Sequence, residues 1–325
     1  RKMKKYVAIY TEEENLFKKY MDMFDSRTNL LWIKSDLAVE DQIEKDVVIP
    51  AMIINPSKIS TEVALKIPGL RLIQVTSAGT DHIDVITLNE NGILVANNNG
   101  GNSVAVAEHT IALMLSVYRK LPRQFSDLKS GSWSENRSMI LPTSHDLSGQ
   151  KIGIIGFGHI GKKVARRLQG WDCEISYNDI IKLDESTEHD FNVRFESRED
   201  LIKSCDIITL HVPLNRETTG MISDREFKQM KSNAIVINAC RGPVIDEKSL
   251  INALDKKYIT GAGLDVTEKE PIETDNPLLK MDNVVITPHL ASLTQESIKK
   301  SSQFAVENTT RVFNEEEGLS IVLPL

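Results

Sequence analysis

The stretch KIGIIGFGHIG at residues 151–161 decides the fold. An apolar strand pattern over residues 152–155 runs directly into Gly156, Gly158 and Gly161, and a helical pattern follows over residues 160–168. In this arrangement the first glycine makes a tight turn, the second lets a bound group approach the backbone, and the third lets helix pack close to strand. A pyrophosphate is expected at the unpaired N–H groups and positive end of that helix. The stretch therefore predicts a strand–turn–helix unit that binds a dinucleotide.

The alternation of short apolar runs and helical patterns continues after this unit. Six further strands are predicted at residues 174–177, 193–195, 207–211, 234–238, 261–264 and 284–287. Strands separated by helical segments are typical of a parallel sheet with crossover helices on its faces. Seven strands in total predict a full dinucleotide-binding domain with a doubly wound sheet.

A smaller group of strands precedes this domain. They are predicted at residues 6–10, 30–33, 52–55, 71–75 and 93–96. Helices are predicted between them at residues 12–24, with Thr11 as the N-cap, and at residues 61–66. This part of the chain is therefore expected to form a second, smaller doubly wound domain.

Three segments lie outside these two sets of strands. Residues 104–118 form a helical pattern that is apolar on all sides, which predicts burial at a domain or subunit boundary. Residues 120–149 are polar and irregular and are expected to form a linker or an arm. The last helical pattern, residues 296–313, has no strand of its own to cover, so we expect it to cross back onto the first domain.

The overall prediction is an α/β protein with two Rossmann-like, doubly wound parallel-sheet domains and a cleft between them. The smaller domain is discontinuous, comprising residues 1–100 plus 292–325, and is expected to bind substrate. Residues 101–291 are expected to form the dinucleotide-binding domain, with the arm at residues 120–149.

Composition excludes several classes of protein. The 325 residues include 39 Lys and Arg against 46 Asp and Glu, and the net charge of −7 argues against a nucleic-acid partner. No apolar run reaches the ~18 residues of a membrane span, and the first residues do not resemble a signal peptide. Three cysteines supply neither a disulfide framework nor a zinc cluster, so no metal site is predicted. We expect a cytoplasmic protein.

Asp179 carries the prediction of which dinucleotide binds. It ends the strand after the glycine-rich turn, eighteen residues past Gly161. A carboxylate at this position hydrogen-bonds the adenosine ribose hydroxyls and repels a 2′-phosphate. No arginine follows it, and the nearest cation is Lys182. NAD is therefore predicted rather than NADP, although a strand-end aspartate also serves as an ordinary turn residue.

Three polar segments follow predicted strands, at residues 238–246, 263–271 and 287–289. A nicotinamide enzyme that acts on a hydroxy acid needs a cation with fork geometry for a carboxylate and an oxyanion, which Arg241 supplies. It also needs a base that titrates near neutrality, which His289 supplies. A carboxylate must orient that base, and Glu270 is suitable, with Glu268 as its rival. Of the other histidines, His109 lies inside a helix and is given no role.

The sequence resembles the D-isomer-specific 2-hydroxyacid dehydrogenase family over essentially its whole length. The resemblance rests on the order and spacing of six motifs. These are the glycine motif at 156–161, Leu210-His211-Val212-Pro213-Leu214, Arg241-Gly242, Asp265-Val266, Glu270-Pro271 and Pro288-His289.

The resemblance implies roles for named residues. Arg241, Glu270 and His289 would form the catalytic triad, with Glu270 preferred to Glu268 because Pro271 follows it. Asp265 would lie near the nicotinamide carboxamide. The remaining residues expected to contact NAD are Gly156, Gly158, His159, Ile160, Gly161, Asp179, His211, Val212, Pro213, Ala239, Cys240, Arg241, His289, Ala291 and Ser292. In the small domain, Ser77, Ala78 and Gly79 would bind the substrate carboxylate together with Arg241. The family also implies a homodimer joined through the cofactor domains.

Departures from the family pattern bear on the substrate. Residues 55–58 hold Lys58 but no arginine to bind a phosphate, and the chain ends at Leu325 without the regulatory domain of many serine-pathway enzymes. Glu270 stands where the formate-oxidising branch has a glutamine. We therefore expect a small 2-oxo or 2-hydroxy acid of the glyoxylate, hydroxypyruvate or pyruvate type.

Two alternative functions remain open at this point. One is a D-3-phosphoglycerate dehydrogenase that lacks a regulatory domain. The other is an NAD-sensing binding protein like the C-terminal-binding-protein corepressors, which resemble this fold and keep the same triad. Cys240 also has two interpretations, a small residue beside the cofactor or an oxidation-sensitive thiol whose pKa Arg241 lowers.

Overall fold

The computed structural model describes residues 3–55, 58–133, 137 and 140–323. Pro56 and Ser57, which belong to the stretch considered for phosphate binding, and five residues of the predicted arm lie outside the described residues. The chain divides into two compact units, residues 1–102 with 294–325 and residues 103–293.

The first unit is built on a five-stranded, all-parallel sheet in the order β2-β1-β3-β4-β5. Its strands are β1 (Lys4–Tyr10), β2 (Leu30–Ile33), β3 (Val47–Ile54), β4 (Leu72–Val75) and β5 (Leu94–Ala96). Its helices are α1 (Glu14–Met21), α2 (Thr61–Leu65), α3 (Val85–Glu90) and the last helix of the chain, α11 (Gln295–Phe313). The order of the strands reverses between β1 and β3, as in doubly wound sheets.

Helix α11 packs against the strands of this unit, although almost two hundred residues separate it from them in sequence. Ala305 is fully buried in a cluster with Val7, Ile9 and Ile53. The apolar face of α11 thus covers the sheet of the first unit, which is why residues 294–325 belong to it.

The start of α1 differs from the prediction. The helix begins at Glu14 rather than Glu12, and Thr11 is not its N-cap. The Thr11 hydroxyl accepts a hydrogen bond from the Glu13 N–H at 3.1 Å, so it stabilises the turn before the helix instead.

The second unit contains a seven-stranded, all-parallel sheet in the order β12-β11-β10-β9-β6-β7-β8. The strands are β6 (Lys151–Ile155), β7 (Glu174–Asn178), β8 (Arg194–Phe195), β9 (Ile207–Leu210), β10 (Ile235–Asn238), β11 (Gly261–Leu264) and β12 (Val284–Ile286). The described helices are α4 (Ser103–Tyr118), α5 (Leu121–Lys129), α6 (His159–Leu168), α7 (Glu185–Phe191), α8 (Arg198–Ser204), α9 (Asp224–Phe227) and α10 (Glu247–Asp255). The order reverses between β6 and β9, and ligands of such sheets bind where the strands beside this reversal end.

Helix α5 corrects the prediction that the chain is irregular from residue 120 onward. Lys120 has φ +53°, which ends the preceding helix, and Pro122 lies in the first turn of the new one. Proline is tolerated there because the first N–H groups of a helix have no partner within it. The polar composition of this segment reflects an exposed helix rather than an irregular chain.

Helix α4 lies close to β11 because that strand carries glycines. A Cβ at Gly263 would lie 3.1 Å from the Cβ of Leu113, and one at Gly261 would lie 2.9 Å from a methyl carbon of Val117. Leu113 and Val117 are four residues apart and therefore share one face of the helix. The missing side chains of β11 thus set the position of that face over the sheet.

No helix within residues 3–55, 58–133, 137 and 140–323 has the length and hydropathy needed to cross a membrane. The location of the protein in the cell stays a prediction.

Candidate active site

The glycine-rich turn between β6 and α6 has the geometry of a cradle for a pyrophosphate. Gly156 has φ +91°, and a Cβ there would collide with the backbone oxygen of His211. A Cβ at Gly161 would collide with the backbone oxygen of Gly156. Gly158, the N-cap of α6, differs from both, because a Cβ there would meet nothing within 4 Å. Two glycines therefore serve packing, and the third leaves open space before the N-terminus of a ten-residue helix, which suits a dinucleotide.

Asp179 lies beside this turn. Its Oδ2 accepts a hydrogen bond from the Phe157 N–H at 2.5 Å, and its Oδ1 accepts one from the Ile181 N–H at 3.1 Å. The carboxylate that follows β7 therefore fixes the backbone of the glycine-rich turn that follows β6.

His211 follows β9, on the other side of the reversal in strand order. Its Nε2 lies 2.9 Å from the Thr209 hydroxyl, and its Nδ1 is buried without a hydrogen-bond partner among the described residues. Part of the residue reaches the surface, but burial of the ring lowers the pKa of His211 to about 3. The ring is therefore neutral at physiological pH. The next residue, Val212, packs against the Gly156 position, and Pro213 is exposed.

Three of the predicted cofactor residues come together at the same edge of the sheet. Ile160, Ala239 and Ala291 form one small apolar cluster with Val106 of α4. His159 is exposed at the start of α6, and Ser292 is partly exposed. The start of α6 and the loops after β10 and β12 thus contribute side chains to one apolar surface next to the glycine-rich turn.

Arg241 belongs to the loop after β10, whose backbone Asn238 holds in place. Asn238 Oδ1 accepts hydrogen bonds from the Cys240 N–H and thiol, both at 3.1 Å, and its amide donates to the Arg241 carbonyl oxygen at 2.9 Å. A Cβ at Gly242 would collide with the carbonyl group of Thr267. The backbone after Arg241 therefore lies directly against the loop that carries Glu270.

The environment of Cys240 decides between its two interpretations. Burial raises the pKa of the Cys240 thiol, despite the neighbouring Arg241. The side chain is buried and its thiol donates to Asn238. Because reactive thiols are exposed and ionised, Cys240 has the character of a small packing residue, and the alternative of an oxidation-sensitive thiol with a lowered pKa is wrong.

The loop that carries Glu270 follows β11 and is held at two points. Glu268 accepts the backbone N–H of Glu247 at 3.3 Å, and Glu247 accepts that of Glu268 at 3.0 Å. Glu270 Oε1 accepts the Thr267 N–H at 3.2 Å. Glu268 therefore faces the start of α10, while Glu270 keeps its second carboxylate oxygen for another partner.

That partner is His289, in the loop after β12. The His289 Nδ1 lies 2.7 Å from Glu270 Oε2, and both side chains are partly open to solvent. His289 has φ +53°, a left-handed conformation that is costly for a residue with a Cβ. Its N–H donates to the Asp265 carbonyl oxygen at 2.8 Å.

The Asp265 carboxylate organises this loop. It is only 1% exposed and accepts three hydrogen bonds, from the Thr287 hydroxyl at 2.6 Å and from the N–H groups of Leu290 and Ala291, both at 2.9 Å. A buried carboxylate with three donors is a rigid anchor. Asp265 therefore holds the chain on both sides of His289 and stabilises its strained backbone.

These features were compared with known proteins. Residues 111–291 match the sequence family described as D-isomer specific 2-hydroxyacid dehydrogenase, NAD binding domain. The chain belongs to this family. The D-2-hydroxyacid dehydrogenases are NAD-dependent oxidoreductases, so the expected family, class of enzyme and cofactor are confirmed. The two all-parallel sheets confirm the expected fold class.

Individual D-2-hydroxyacid dehydrogenases resemble the chain over most of its length. Glyoxylate reductase of Thermofilum pendens is 37% identical over 265 residues, which cover 82% of this chain and 78% of that protein. D-3-phosphoglycerate dehydrogenase of Archaeoglobus fulgidus is 35% identical over 290 residues, which cover 89% of this chain but 54% of the longer relative. The crystal structure of D-lactate dehydrogenase from Aquifex aeolicus, complexed with NAD and lactic acid, has a TM-score of 0.80 and 28% identity, covering 95% of this chain and 96% of that one.

Three of the residues predicted to bind substrate, Ser77, Ala78 and Gly79, lie in the first unit, in the loop after β4. The three carbonyl oxygens of Ser77, Ala78 and Gly79 accept hydrogen bonds from the Asn98 N–H, the Asn97 amide and the Ser77 hydroxyl, at 3.0, 3.3 and 2.8 Å. These bonds fix the orientation of the peptide planes. The role of the loop in binding substrate stays a prediction.

Sequence reasoning gave no role to His109, which contacts the loop that carries His289. His109 of α4 lies with its Nε2 2.8 Å from the Thr287 hydroxyl oxygen. The spacing of His109, Leu113 and Val117 places them on one helix face, but the packing of that face on β11 is a tertiary feature that the spacing alone does not reveal.

Proposed function

We propose that the protein reduces a small 2-oxo acid and oxidises the corresponding D-2-hydroxy acid, with Arg241, Glu270 and His289 as its catalytic residues. The observation that carries this assignment is the 2.7 Å contact between His289 Nδ1 and Glu270 Oε2. It joins a titratable base to a carboxylate in the unit that also holds the glycine-rich turn.

His289 is proposed to carry the proton. Its Nδ1 is engaged by Glu270, so Nε2 is the ring nitrogen left to exchange a proton with the substrate oxygen. As imidazolium it donates to the developing alkoxide in reduction, and as imidazole it removes the hydroxyl proton in oxidation. NAD, when bound, supplies the hydride chemistry at C2 of the substrate.

Glu270 is proposed to orient the ring and to stabilise its positive charge. A carboxylate on Nδ1 fixes the tautomer and rotation of the imidazole, as the acidic member of catalytic triads does. The hydrogen bond from Thr267 to the other carboxylate oxygen holds Glu270 itself.

Arg241 is proposed to bind the substrate carboxylate and to polarise the 2-oxo group, since its planar guanidinium offers paired donors. Its backbone is held by Asn238 and lies against the Glu270 loop, which supports a shared site for the two side chains. Ser77, Ala78 and Gly79 are proposed to contribute to carboxylate binding from the first unit.

The substrate is proposed to be of the glyoxylate, hydroxypyruvate or pyruvate type. The relative from Thermofilum pendens is a glyoxylate reductase, and the Aquifex aeolicus structure holds lactic acid, the reduced form of pyruvate. The Archaeoglobus fulgidus relative supports D-3-phosphoglycerate as the second candidate. Phosphohydroxypyruvate therefore belongs in any substrate panel.

The protein is also proposed to form a homodimer. Four large apolar side chains on and after α5 are exposed, namely Phe125 (63%), Leu128 (55%), Trp133 (68%) and Leu141 (78%). Exposed apolar side chains grouped in one segment are typical of contact surfaces. Light scattering at micromolar concentration tests this, and a particle of 36.5 kDa, the monomer mass, would contradict it.

The experiment that tests the proposed chemistry is an NADH-oxidation assay over a panel of 2-oxo acids. We expect turnover with at least one short acid, and a loss of about 10²–10⁴-fold in kcat for His289→Gln. His189→Gln, at an exposed histidine of α7, is the matched control and should keep wild-type kcat. Wild-type turnover in His289→Gln would reject His289 as the proton carrier.

A further inference from the structure

We propose that His109 is a positioning residue for this reaction, acting through Thr287 and Asp265 on the loop that carries His289. The inference rests on the proposed function in that it takes His289 as the proton carrier. His109 Nε2 lies 2.8 Å from the Thr287 hydroxyl oxygen and 3.5 Å from Asp265 Oδ1.

The direction of each hydrogen bond follows from the chemistry of the three groups. An ionised carboxylate only accepts, so the single hydrogen of the Thr287 hydroxyl is donated to Asp265 Oδ1 at 2.6 Å. The hydroxyl oxygen can then only accept from His109, which requires the hydrogen of the imidazole to be on Nε2. His109 therefore aims the threonine hydroxyl at the carboxylate.

The fold places His109 where it can do this. His109, Leu113 and Val117 follow one another at intervals of four on α4, and the last two pack at Gly263 and Gly261 of β11. Continuing that face by one turn brings His109 to the carboxyl end of β11, where Asp265 follows Leu264. The glycines of β11 thus bring the helix near enough for the contact.

The contact matters because the Asp265 carboxylate holds the chain on both sides of His289. This buried carboxylate keeps Leu290 and Ala291 in place while His289 holds a left-handed backbone at φ +53°. A threonine hydroxyl that rotates away would leave this anchor with one donor fewer and would let the loop relax. The imidazole of His289 would then spend less time in the position that Glu270 defines.

Kinetics of three variants test the inference, using the 2-oxo acid that the wild type reduces best. We expect His109→Leu and Thr287→Val each to lower kcat about 10-fold through misplacement of the catalytic group. The KM for the 2-oxo acid should stay within about 2-fold, since ground-state binding is not touched. His109→Gln, whose side-chain amide can donate to Thr287, should recover most of the lost kcat.

A double variant separates positioning from packing. If His109 acts only through Thr287, the kcat of His109→Leu/Thr287→Val should fall no further than that of either single variant. Independent packing effects would multiply instead. His189→Leu, at an exposed histidine, is the matched control for loss of an imidazole.

Amide hydrogen exchange tests the same inference without any turnover. The N–H groups of Leu290 and Ala291 donate to Asp265, so His109→Leu should speed their exchange several-fold while His109→Gln should not. Wild-type kcat and exchange in His109→Leu, or equal losses in the Leu and Gln variants, would overturn the inference. A wild-type protein that reduces no 2-oxo acid would instead reject the proposed function, and the exchange result would still decide the role of His109.

Discussion

His289 Nδ1 and Glu270 Oε2 lie 2.7 Å apart, although the two residues come from loops after different strands of one sheet. Parallel strands end at a common edge, so residues nineteen positions apart in sequence meet there. The pairing occupies Nδ1 of His289 and leaves Nε2 for the proton transfer that we propose.

The first prediction concerns the charge on this pair. Glu270→Gln keeps a hydrogen-bond acceptor near His289 but removes the negative charge that stabilises the imidazolium. We expect kcat for 2-oxo acid reduction to fall by about 10²-fold or more, with the Kd for NADH unchanged. Steady-state kinetics and NADH fluorescence titration measure the two quantities.

Glu268→Gln is the matched control, because Glu268 lies two residues away and faces the Glu247 N–H instead of His289. It should keep kcat within about 2-fold of wild type, because its carboxylate does not contact His289. Equal losses in both variants would show that the loop, and not the charge of Glu270, is what the reaction needs.

The second prediction separates the glycines of the cofactor turn. Gly158 has a negative φ of −76°, and a Cβ there meets nothing within 4 Å, so Gly158→Ala should change the Tm of the free protein far less than Gly161→Ala does. It should raise the Kd for NADH about 10-fold or more, because the added methyl fills space that the pyrophosphate needs. Gly161→Ala should lower the Tm, since its Cβ collides with the Gly156 carbonyl oxygen. Unchanged NADH binding in Gly158→Ala would place the pyrophosphate elsewhere.

The third prediction concerns Asp179, which accepts the Phe157 N–H and is expected to bind the ribose hydroxyls of NAD. Asp179→Asn can still accept from the Phe157 N–H, although it gives up the bond to the Ile181 N–H, so the glycine-rich turn should keep its shape while the charge is lost. We expect this variant to reduce the preference for NADH over NADPH about 10-fold, because repulsion of the 2′-phosphate disappears. Asp179→Ala should weaken both cofactors further. The ratio of kcat/KM for NADH and NADPH measures the effect, and an unchanged ratio in Asp179→Asn would refute it.

The fold was predictable because strands, helix starts and glycine turns are local features of the sequence. Each strand in the structure overlaps a predicted one, with ends that differ mainly by one or two residues, although β3 begins five residues earlier than expected. Helix α5 was missed although Leu121, Phe125 and Leu128 lie at helical spacing, because the segment around it is polar and contains two prolines and two glycines. The Thr11 cap was wrong because its hydroxyl has a nearer N–H to bind.

The site was predictable only where motif and chemistry coincide. Arg241, Glu270 and His289 stand in motifs, and their residue types suit acid–base and carboxylate chemistry. The link from His109 to Asp265 depends on how α4 packs on the glycines of β11, which no local pattern encodes. The burial of Cys240 is likewise a tertiary property, and it outweighs the neighbouring positive charge.

The last prediction uses the buried ring of His211. Burial lowers the pKa of His211 from 6.5 to about 3. Between these two pH values the ring therefore binds a proton in the unfolded chain but not in the folded one. The contribution of His211 to the free energy of unfolding therefore falls as pH drops from about 6.5 toward about 3, with a slope of up to about 1.4 kcal/mol per pH unit. Well above pH 6.5 this group adds no pH dependence to the free energy of unfolding. His211→Gln removes the titrating ring, so its urea midpoint should fall less than that of the wild type between about pH 7 and about pH 5.

The control is His189→Gln, at an exposed histidine, whose urea midpoint should change with pH as that of the wild type does. Parallel acid dependence in the wild type and His211→Gln would mean that the ring takes up its proton in the folded state, next to the glycine-rich turn.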